Sequence, residues 1–459
     1  MRVSGLEVGF DRTDITPLGA VALAGFAARE GLGPAGDVLA PLHVRALVLR
    51  SEGEPAVVLV TADLLWWGDD IVASLRSAFS ARFGLSPQSL VLHATHTHSG
   101  PQVSRGMTPS LGIPDDAYLA WLEQQTLACI ERAFATSTPV RVESARVDTG
   151  MTVDRRWART AGEVAVSRID SDLTVVRLVG DDDATVALLV HFACHPVLHH
   201  GNAVTPDLAG TLADVLERDT APFVMYLQGC CGDVNPDRYD AEGEFANGGQ
   251  ADVEDFARRL ADLARRAVAD AAPAGSGAVS ICRRSVVLPL QERAPWQLIT
   301  AWAATGEGVR AEWARIMVAD PARFARDPLL QLVRIDLTPD LALLGLSGEP
   351  VSHYGLFTRE LSGGRCLPMG YTDGMTTYLV TRRHLQEGGY EPYEAPLYFG
   401  LPAPLSPAAE QVILDEIAAL VAPAASTPPG SLPASRREQV TRRSREVDEQ
   451  PLTHRGANP

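Results

Sequence analysis

Short runs rich in β-branched residues alternate with longer segments of helical periodicity along the first 420 residues. Residues 56–62 (AVVLVTA) and 90–94 predict buried strands, and the segment between them predicts a helix over 70–83. This alternation of strands with helices is the signature of an α/β protein rather than of a helical bundle or a β-sandwich.

The same pattern continues to the last third of the chain. A helix over 115–135 opens at Asp115 or Asp116, and the runs LTVVRLV and TVALLVHFA flank an acidic turn that suits a hairpin. The remaining predicted elements are a helix at 207–218, a strand at 223–228, a helix at 251–272, a strand at 278–290, a helix at 295–318 and strands near 330–337 and 341–347. The Pro- and Gly-rich stretch 272–278 is interpreted as a loop.

Polarity changes near the end of the sequence. From Ala424 the chain is rich in Pro, Ser, Thr and Arg and has almost no large apolar residues. Such a segment cannot offset the entropy of its own ordering, so we expect a disordered tail over 424–459 and a folded domain over 1–423.

Composition excludes several classes of function. The chain has 459 residues, 46% of them apolar, and 40 basic against 57 acidic residues give a net charge of −17. That charge disfavours nucleic acid and anionic membranes as partners. All basic residues are arginine, so a pyridoxal Schiff base, a lysine-dependent phosphate loop and a lysine base are excluded.

The cysteine pattern indicates the cellular compartment in which the protein is expected. Six scattered cysteines show no C-x-x-C spacing, and the sequence has no apolar run of 18 residues and no signal-peptide core near its start. We therefore expect a cytoplasmic protein without a transmembrane segment.

Histidines follow two of the predicted strands. His96 and His98 come directly after strand 90–94, and in extended backbone two residues of this spacing project from one face. His195 follows another strand and precedes Pro196, which fixes the chain direction there. Such histidines either bind a metal or satisfy buried polar groups.

One carboxylate and two tyrosines complete the candidate set. Glu349 lies at the end of an apolar strand between Gly348 and Pro350, where a carboxylate is costly unless it is paired or bound to a metal. Tyr378 and Tyr390 lie twelve residues apart, and their spacing alone does not distinguish pocket residues from packing residues.

Five motifs occur in order along the chain. They are THTHSGP (95–101), FACHP (192–196) followed by Asn202, Asp207 and Gly210, QGCCGDVNP (228–236), SGEP (347–350) and the two spaced tyrosines. Together they resemble the catalytic domain of the neutral/alkaline non-lysosomal ceramidases, in that family's order over roughly residues 5–400. The resemblance implies a single large domain of mixed β-sheets packed with helices.

The resemblance also implies a zinc enzyme that hydrolyses the amide bond of a small or lipid-like N-acyl substrate with metal-activated water. The positions that match the family's zinc ligands are His96, His195, Glu349 and Tyr378. Those that match catalytic or substrate-binding residues are His98, Asp233, Asn235, Tyr390 and Arg155. Asp154 stands where the family has asparagine, and Arg156 competes with Arg155 for the substrate-binding role. Asp233 either orients its loop or only forms a turn.

Two departures from the family limit the inference. Asn235 replaces the serine of the family's GDVSP loop, and an amide side chain cannot act as an alkoxide nucleophile. The family's lipid-degrading members carry an additional C-terminal β-sandwich, whereas this sequence ends in a polar tail, so ceramide itself is in question. Two alternatives therefore stay open: a zinc esterase on the same scaffold, and a non-catalytic binding protein in which Asn235 marks a lost activity.

Overall fold

The computed structural model describes residues 5–29, 31–160 and 166–422. The strands are β1 (Leu6–Asp14), β2 (His43–Arg50), β3 (Val57–Ala62), β4 (Leu90–Ala94), β5 (Thr138–Asp148), β6 (Thr152–Asp154), β7 (Asp172–Val179), β8 (Thr185–Phe192), β9 (Val224–Gln228), β10 (Val234–Pro236), β11 (Ala272–Pro273), β12 (Ser280–Val287), β13 (Leu329–Thr338), β14 (Leu341–Leu346), β15 (Glu349–Pro350), β16 (Cys366–Met369) and β17 (Tyr378–Leu379). The predicted tail over 424–459 lies outside the described residues.

Helices connect these strands. They are α1 (Asp69–Phe83), α2 (Asp116–Phe134), α3 (Arg155–Arg159), α4 (Asp207–Glu217), α5 (Gln250–Ala269), α6 (Trp296–Thr305), α7 (Gly308–Ala319), α8 (Pro321–Ala325), α9 (Ser352–Ser362), α10 (Arg382–Glu387), α11 (Ala395–Tyr398) and α12 (Ala409–Val421), with a π turn at Tyr390–Glu394. No helix in the described part of the chain is long and apolar enough to cross a membrane.

Two mixed sheets form the centre of the fold. The larger has nine strands in the order β4-β3-β2-β1-β5-β7-β8-β9, with β11 added to β5. The smaller has the order β12-β13-β14-β16. Side chains alternate across the strands: Leu59 of β3 and Leu343 of β14 share the core between the two sheets, whereas their neighbours Val58 and Leu344 face the helix-covered sides.

Helices cover the outer faces. Helices α1 and α2 pack on the β2–β4 part of the large sheet and α4 and α5 on its β7–β9 part, while α9 and α12 cover the small sheet. The result is a helix–sheet–sheet–helix arrangement, which confirms the predicted α/β class with mixed sheets.

The predicted single helix over 295–318 is wrong. The chain forms α6 and α7 instead, separated at Gly306 and Glu307, and Gly308 takes a φ of 68° that a continuous helix does not allow. Apolar periodicity continues through the break because Ile299, Trp313 and Met317 pack into one small cluster. Periodicity alone therefore did not reveal the break.

The carboxyl ends of three pairs of parallel strands lie close to the candidate residues. Strands β3 and β4, β8 and β9, and β14 and β16 run parallel within their sheets. The two edge strands β4 and β9 approach each other, since the Gln228 N–H donates to His93 Nε2 at 2.8 Å. Functional residues of α/β proteins collect at the carboxyl ends of such strands, and the candidate residues follow β4, β8, β9 and β14.

Candidate metal centre

His96 and His195 are brought together with their Nε2 atoms facing each other. His96 Nδ1 donates to the Leu65 carbonyl at 2.9 Å, and His195 Nδ1 donates to the Cys231 carbonyl at 2.8 Å. These bonds fix both tautomers and leave each Nε2 with a free lone pair. The two Nε2 atoms are 3.2 Å apart, so two electron-pair donors are held face to face.

Glu349 adds a carboxylate to the same cluster. Its Oε1 lies 3.0 Å from His195 Nε2 and 3.3 Å from His96 Nε2, and its side chain is buried. Burial raises the pKa of this carboxyl, and positive charge at the positions of the two imidazoles lowers it well below its usual range. Glu349 therefore supplies a fixed negative charge.

These donors fit a divalent metal ion. Glu349 Oε1 has no hydrogen-bond partner among the described residues, and both facing imidazole nitrogens carry lone pairs. Ligand atoms of tetrahedral zinc, with bonds of about 2.05 Å, are about 3.3 Å apart. The separations of 3.0–3.3 Å match that spacing. A buried carboxylate oxygen without a hydrogen-bond donor is costly unless a cation neutralises it.

His98 is the third imidazole of the cluster. The Nε2 atoms of His98 and His96 are 3.4 Å apart, and the ligand nitrogens of His96, His98 and His195 all lie within 4.8 Å of one another. Gly25 packs directly on its ring: with φ at 107°, a Cβ there would lie 2.7 Å from His98 Nδ1. His98 is thus positioned either to bind the metal or to contact a substrate.

His96 reaches the cluster by a different route from the predicted one. The sequence expectation was that two residues in extended backbone share a face, but His96 has a φ of 67° and follows the end of β4. This left-handed conformation is uncommon for residues other than glycine. The backbone bond from His96 N to Leu64 O at 2.9 Å and stacking on Tyr371 at 3.8 Å hold it.

A buried ion pair between Arg45 and Asp63 stabilises the turn at His96. Asp63, at the end of β3, accepts from Arg45 at 3.3 Å and from the Thr95 hydroxyl at 3.2 Å. Burial raises the pKa of Asp63 to about 6, although Arg45 opposes the shift. Asp63 thereby fixes the residue that precedes His96.

Arg155 lies beside the cluster and Arg156 does not. Nη1 of Arg155 is 3.5 Å from His195 Nε2, and its Nη2 donates to the Tyr378 hydroxyl at 3.1 Å. Glu391 accepts from Arg155 Nε at 3.0 Å and from Nη2 at 2.8 Å, and it also pairs with Arg156, which continues to Glu387. The structure therefore places the first of the two arginines at the pocket.

Backbone pairing of two short strands sets the position of Tyr378. The short strands β15 and β17 pair in parallel with Tyr378 opposite Glu349, which brings a residue distant in sequence to the cluster. Burial raises the pKa of the Tyr378 hydroxyl well above its usual value, while the adjacent Arg155 acts in the opposite direction. Tyr390 packs edge-on to Tyr378 at 5.9 Å and lines the same pocket.

The loop after β9 places Asn235 and Asp233 differently. Asn235 is buried, lines the pocket and donates from Nδ2 to the Tyr239 hydroxyl at 2.8 Å. Asp233 instead accepts from the Ser352 N–H at 2.7 Å and lies 3.6 Å from His384 Nε2. Its backbone carbonyl accepts from the Arg155 N–H at 2.9 Å. Asp233 therefore orients the loop and α3, which is one of the two roles considered for it from the sequence, and it is not among the described residues that line this pocket.

Two other buried histidines have structural partners. His191 donates from Nε2 to the Pro368 carbonyl at 2.7 Å and accepts from Arg359 at 3.1 Å. His93 accepts from the Gln228 N–H, as described above, and its Nδ1 contacts Thr372 at 3.0 Å. Burial lowers the pKa of each to about 3, so both are neutral links between elements.

Some pocket residues were not foreseen from the sequence. Arg159 lines the pocket and lies one helical turn after Arg155, so the i, i+4 rule could have found it. Glu391, which pairs with the pocket residue Arg155 but does not line the pocket, directly follows Tyr390. Phe26 and Tyr239 reach the pocket from loops, and no local signal marks them.

Comparison with known proteins identifies the fold. The structure of the neutral ceramidase from Pseudomonas aeruginosa matches with a TM-score of 0.72 at 17% sequence identity, over 94% of this chain and 77% of that chain. A ceramidase complexed with C2 matches with a TM-score of 0.71 at 16% identity, over 93% of this chain and 77% of that one. No protein-family model and no curated protein sequence matches this chain. The chain has the neutral ceramidase fold, as the sequence motifs predicted.

Proposed function

We propose that this chain, which has the neutral ceramidase fold, is a zinc-dependent hydrolase that cleaves the amide bond of an N-acyl substrate. The observation that carries the proposal is the convergence of His96 Nε2, His195 Nε2 and Glu349 Oε1 within 3.3 Å of one another. The fold of the two ceramidases supports the choice of an amide.

The residues that would hold the metal are His96, His195 and Glu349, with the Tyr378 hydroxyl as the fourth donor. Nitrogen and oxygen donors of this kind suit zinc. When bound, zinc would supply Lewis acidity toward a carbonyl oxygen and toward water. Arg155 donates to the Tyr378 oxygen and stabilises negative charge on it.

Side chains of the pocket would stabilise the acyl oxygen and transfer the proton. In hydrolysis the oxygen of water bonds to the acyl carbon, the C–N bond breaks, and its electron pair leaves on nitrogen, which takes up a proton. The Tyr390 hydroxyl is placed in the pocket to donate to the acyl oxygen as negative charge develops on it. His98, at the pocket wall, is placed to transfer the proton to the leaving nitrogen.

Asn235 limits which group can act as the nucleophile of the reaction. It occupies the family's serine position, is buried and lines the pocket, but an amide group cannot form a covalent acyl ester. Water is therefore the nucleophile in this proposal, and Asn235 contributes a hydrogen bond to the bound substrate.

Metal analysis with matched variants tests the proposal. We expect about one zinc per chain in the wild type and a large loss of zinc and of amide hydrolysis in His96→Ala and Glu349→Gln. Glu360→Gln removes an exposed carboxylate of α9 that pairs with Arg168 and should keep both. Metal-free protein that still hydrolyses amides would refute the proposal.

A substrate panel separates the two enzyme candidates. Matched amides and esters with the same acyl group would be assayed with zinc-loaded protein. Hydrolysis of the amides supports the proposal, whereas hydrolysis of esters alone would establish the esterase alternative. Zinc binding without turnover of either series would favour a binding protein.

A further inference from the structure

The charged side chains that line the pocket above the candidate metal centre are arginines, although the chain as a whole is acidic. The net charge of the chain is −17. Among the described residues, the pocket lining includes Arg155, Arg159 and three histidines but no aspartate or glutamate. A cavity lined by one sign of charge attracts ligands of the opposite sign, so an anionic group is favoured there.

Among the three arginines of α3, only Arg159 has no ion pair with a described residue, and Glu391 acts on it only at longer range. Arg155 is compensated by Glu391, and Arg156 by Glu391 and Glu387. Within the described part of the chain, no hydrogen bond or ion pair compensates Arg159, which is exposed on the same short helix. A guanidinium presents several donors in a planar fork that matches a carboxylate.

Arg159 lines the same cavity as His195 and Tyr378. Residues four apart on a helix lie on one face about 6 Å apart, so Arg159 lies one turn from Arg155. Arg155 is itself 3.5 Å from His195 Nε2. A ligand that fills this cavity can therefore place a carboxylate at Arg159 while its acyl carbon lies at the centre.

Apolar and aromatic side chains form part of the remaining pocket wall. Phe26, Leu111, Val197, Phe245 and Tyr398 line a cavity of about 400 Å³. This volume is within the usual range for small-molecule sites, roughly 300–1,000 Å³. The pocket thus combines apolar side chains for a hydrocarbon group with the guanidinium of Arg159, which has no ion pair with a described residue.

We infer that the substrate is an amide that carries a carboxylate near the scissile bond, with Arg159 binding that carboxylate. The inference rests on the proposed amide hydrolysis and deepens it. Water adds to the acyl carbon, the C–N bond breaks and the nitrogen is protonated, so the products are a carboxylic acid and an amine, one of which retains the extra carboxylate. The carboxylate lies on the amine side in N-acyl amino acids and on the acyl side in half-amides of dicarboxylic acids.

Hydrolysis of isosteric substrate pairs tests the role of Arg159. N-acylglycine is compared with N-acylglycinamide, and an N-alkyl succinamate with its neutral diamide. We expect kcat/KM about tenfold higher for the carboxylate of at least one pair. Arg159→Ala should abolish that preference, Arg159→Lys should restore part of it, and Arg258→Ala, at an exposed arginine of α5, should leave it unchanged. Which pair shows the preference identifies the side that carries the carboxylate.

Binding of ligands that cannot be hydrolysed separates this inference from the proposed activity. Calorimetric titration would compare N-alkylsulfonyl glycine with N-alkylsulfonyl glycinamide, and a 4-oxoalkanoate with its amide. Tighter binding of a carboxylate form that depends on Arg159 supports the inference. If such binding occurs without turnover of any amide, the anion site stands and amide hydrolysis is refuted. Equal binding of carboxylate and neutral forms in both pairs would overturn the inference.

Discussion

The buried pair of Arg155 and Glu391 permits a quantitative prediction. Both side chains are buried, and Glu391 accepts two hydrogen bonds from Arg155. Glu391→Gln keeps the shape but removes the charge, leaving Arg155 without its compensating carboxylate. Loss of one partner from a buried pair typically costs about 3–5 kcal/mol.

The pKa of Glu391 gives an independent magnitude. Burial opposes ionisation, but Arg155 and Arg156 lower the pKa from 4.5 to about 2. A fall of this size corresponds to roughly 3 kcal/mol of folding free energy at neutral pH. Because the folded-state pKa is depressed, this stabilisation is present above about pH 4.5 and is lost as the pH falls toward 2.

Urea unfolding of wild type and two variants measures the effect. Glu391→Gln should lower the free energy of unfolding by roughly 3 kcal/mol at pH 7, and the difference should shrink below about pH 4.5. Glu387→Gln is the matched control, since Glu387 pairs with Arg156 nearer the surface and should cost less than about 1 kcal/mol. A Glu391→Gln variant within 1 kcal/mol of wild type, or a difference that persists at acid pH, would refute the reasoning.

Three further predictions concern the pocket and the core. Gly25→Ala should lower kcat at least tenfold with little change in bound zinc, because its Cβ would displace the His98 ring; unchanged kcat would contradict it. Burial lowers the pKa of His191 from 6.5 to about 3. Below pH 6.5 the unfolded chain therefore takes up a proton that the folded chain does not, and the free energy of unfolding falls with the pH. Wild type should thus lose roughly 3 kcal/mol relative to His191→Gln between pH 6.5 and 4 in urea unfolding, and a constant difference would be inconsistent. Removal of zinc with a chelator should lower Tm in wild type but not in Glu349→Gln, as measured by calorimetry, and equal shifts would count against the site.

The local sequence pattern determined many of the strands and the positions of the candidate residues. A pattern of short, continuous apolar runs rich in β-branched residues located β3, β4, β8 and β9, because strands that are buried on both faces have apolar residues at consecutive positions. It also located the candidate residues at strand ends. The order of short motifs along the chain indicated the fold that the structure has.

Only the tertiary structure decided how those residues meet. Glu349 lies opposite Tyr378 because two short strands pair in parallel, and pairing between segments distant in sequence is set by packing, not by local propensity. The left-handed turn at His96 is likewise held by contacts with distant residues. The choice of Arg155 over Arg156 depends on Glu391. That Arg159 has no ion pair with a described residue is visible only in the three-dimensional structure. Such properties arise from three-dimensional neighbours, which a linear pattern does not contain.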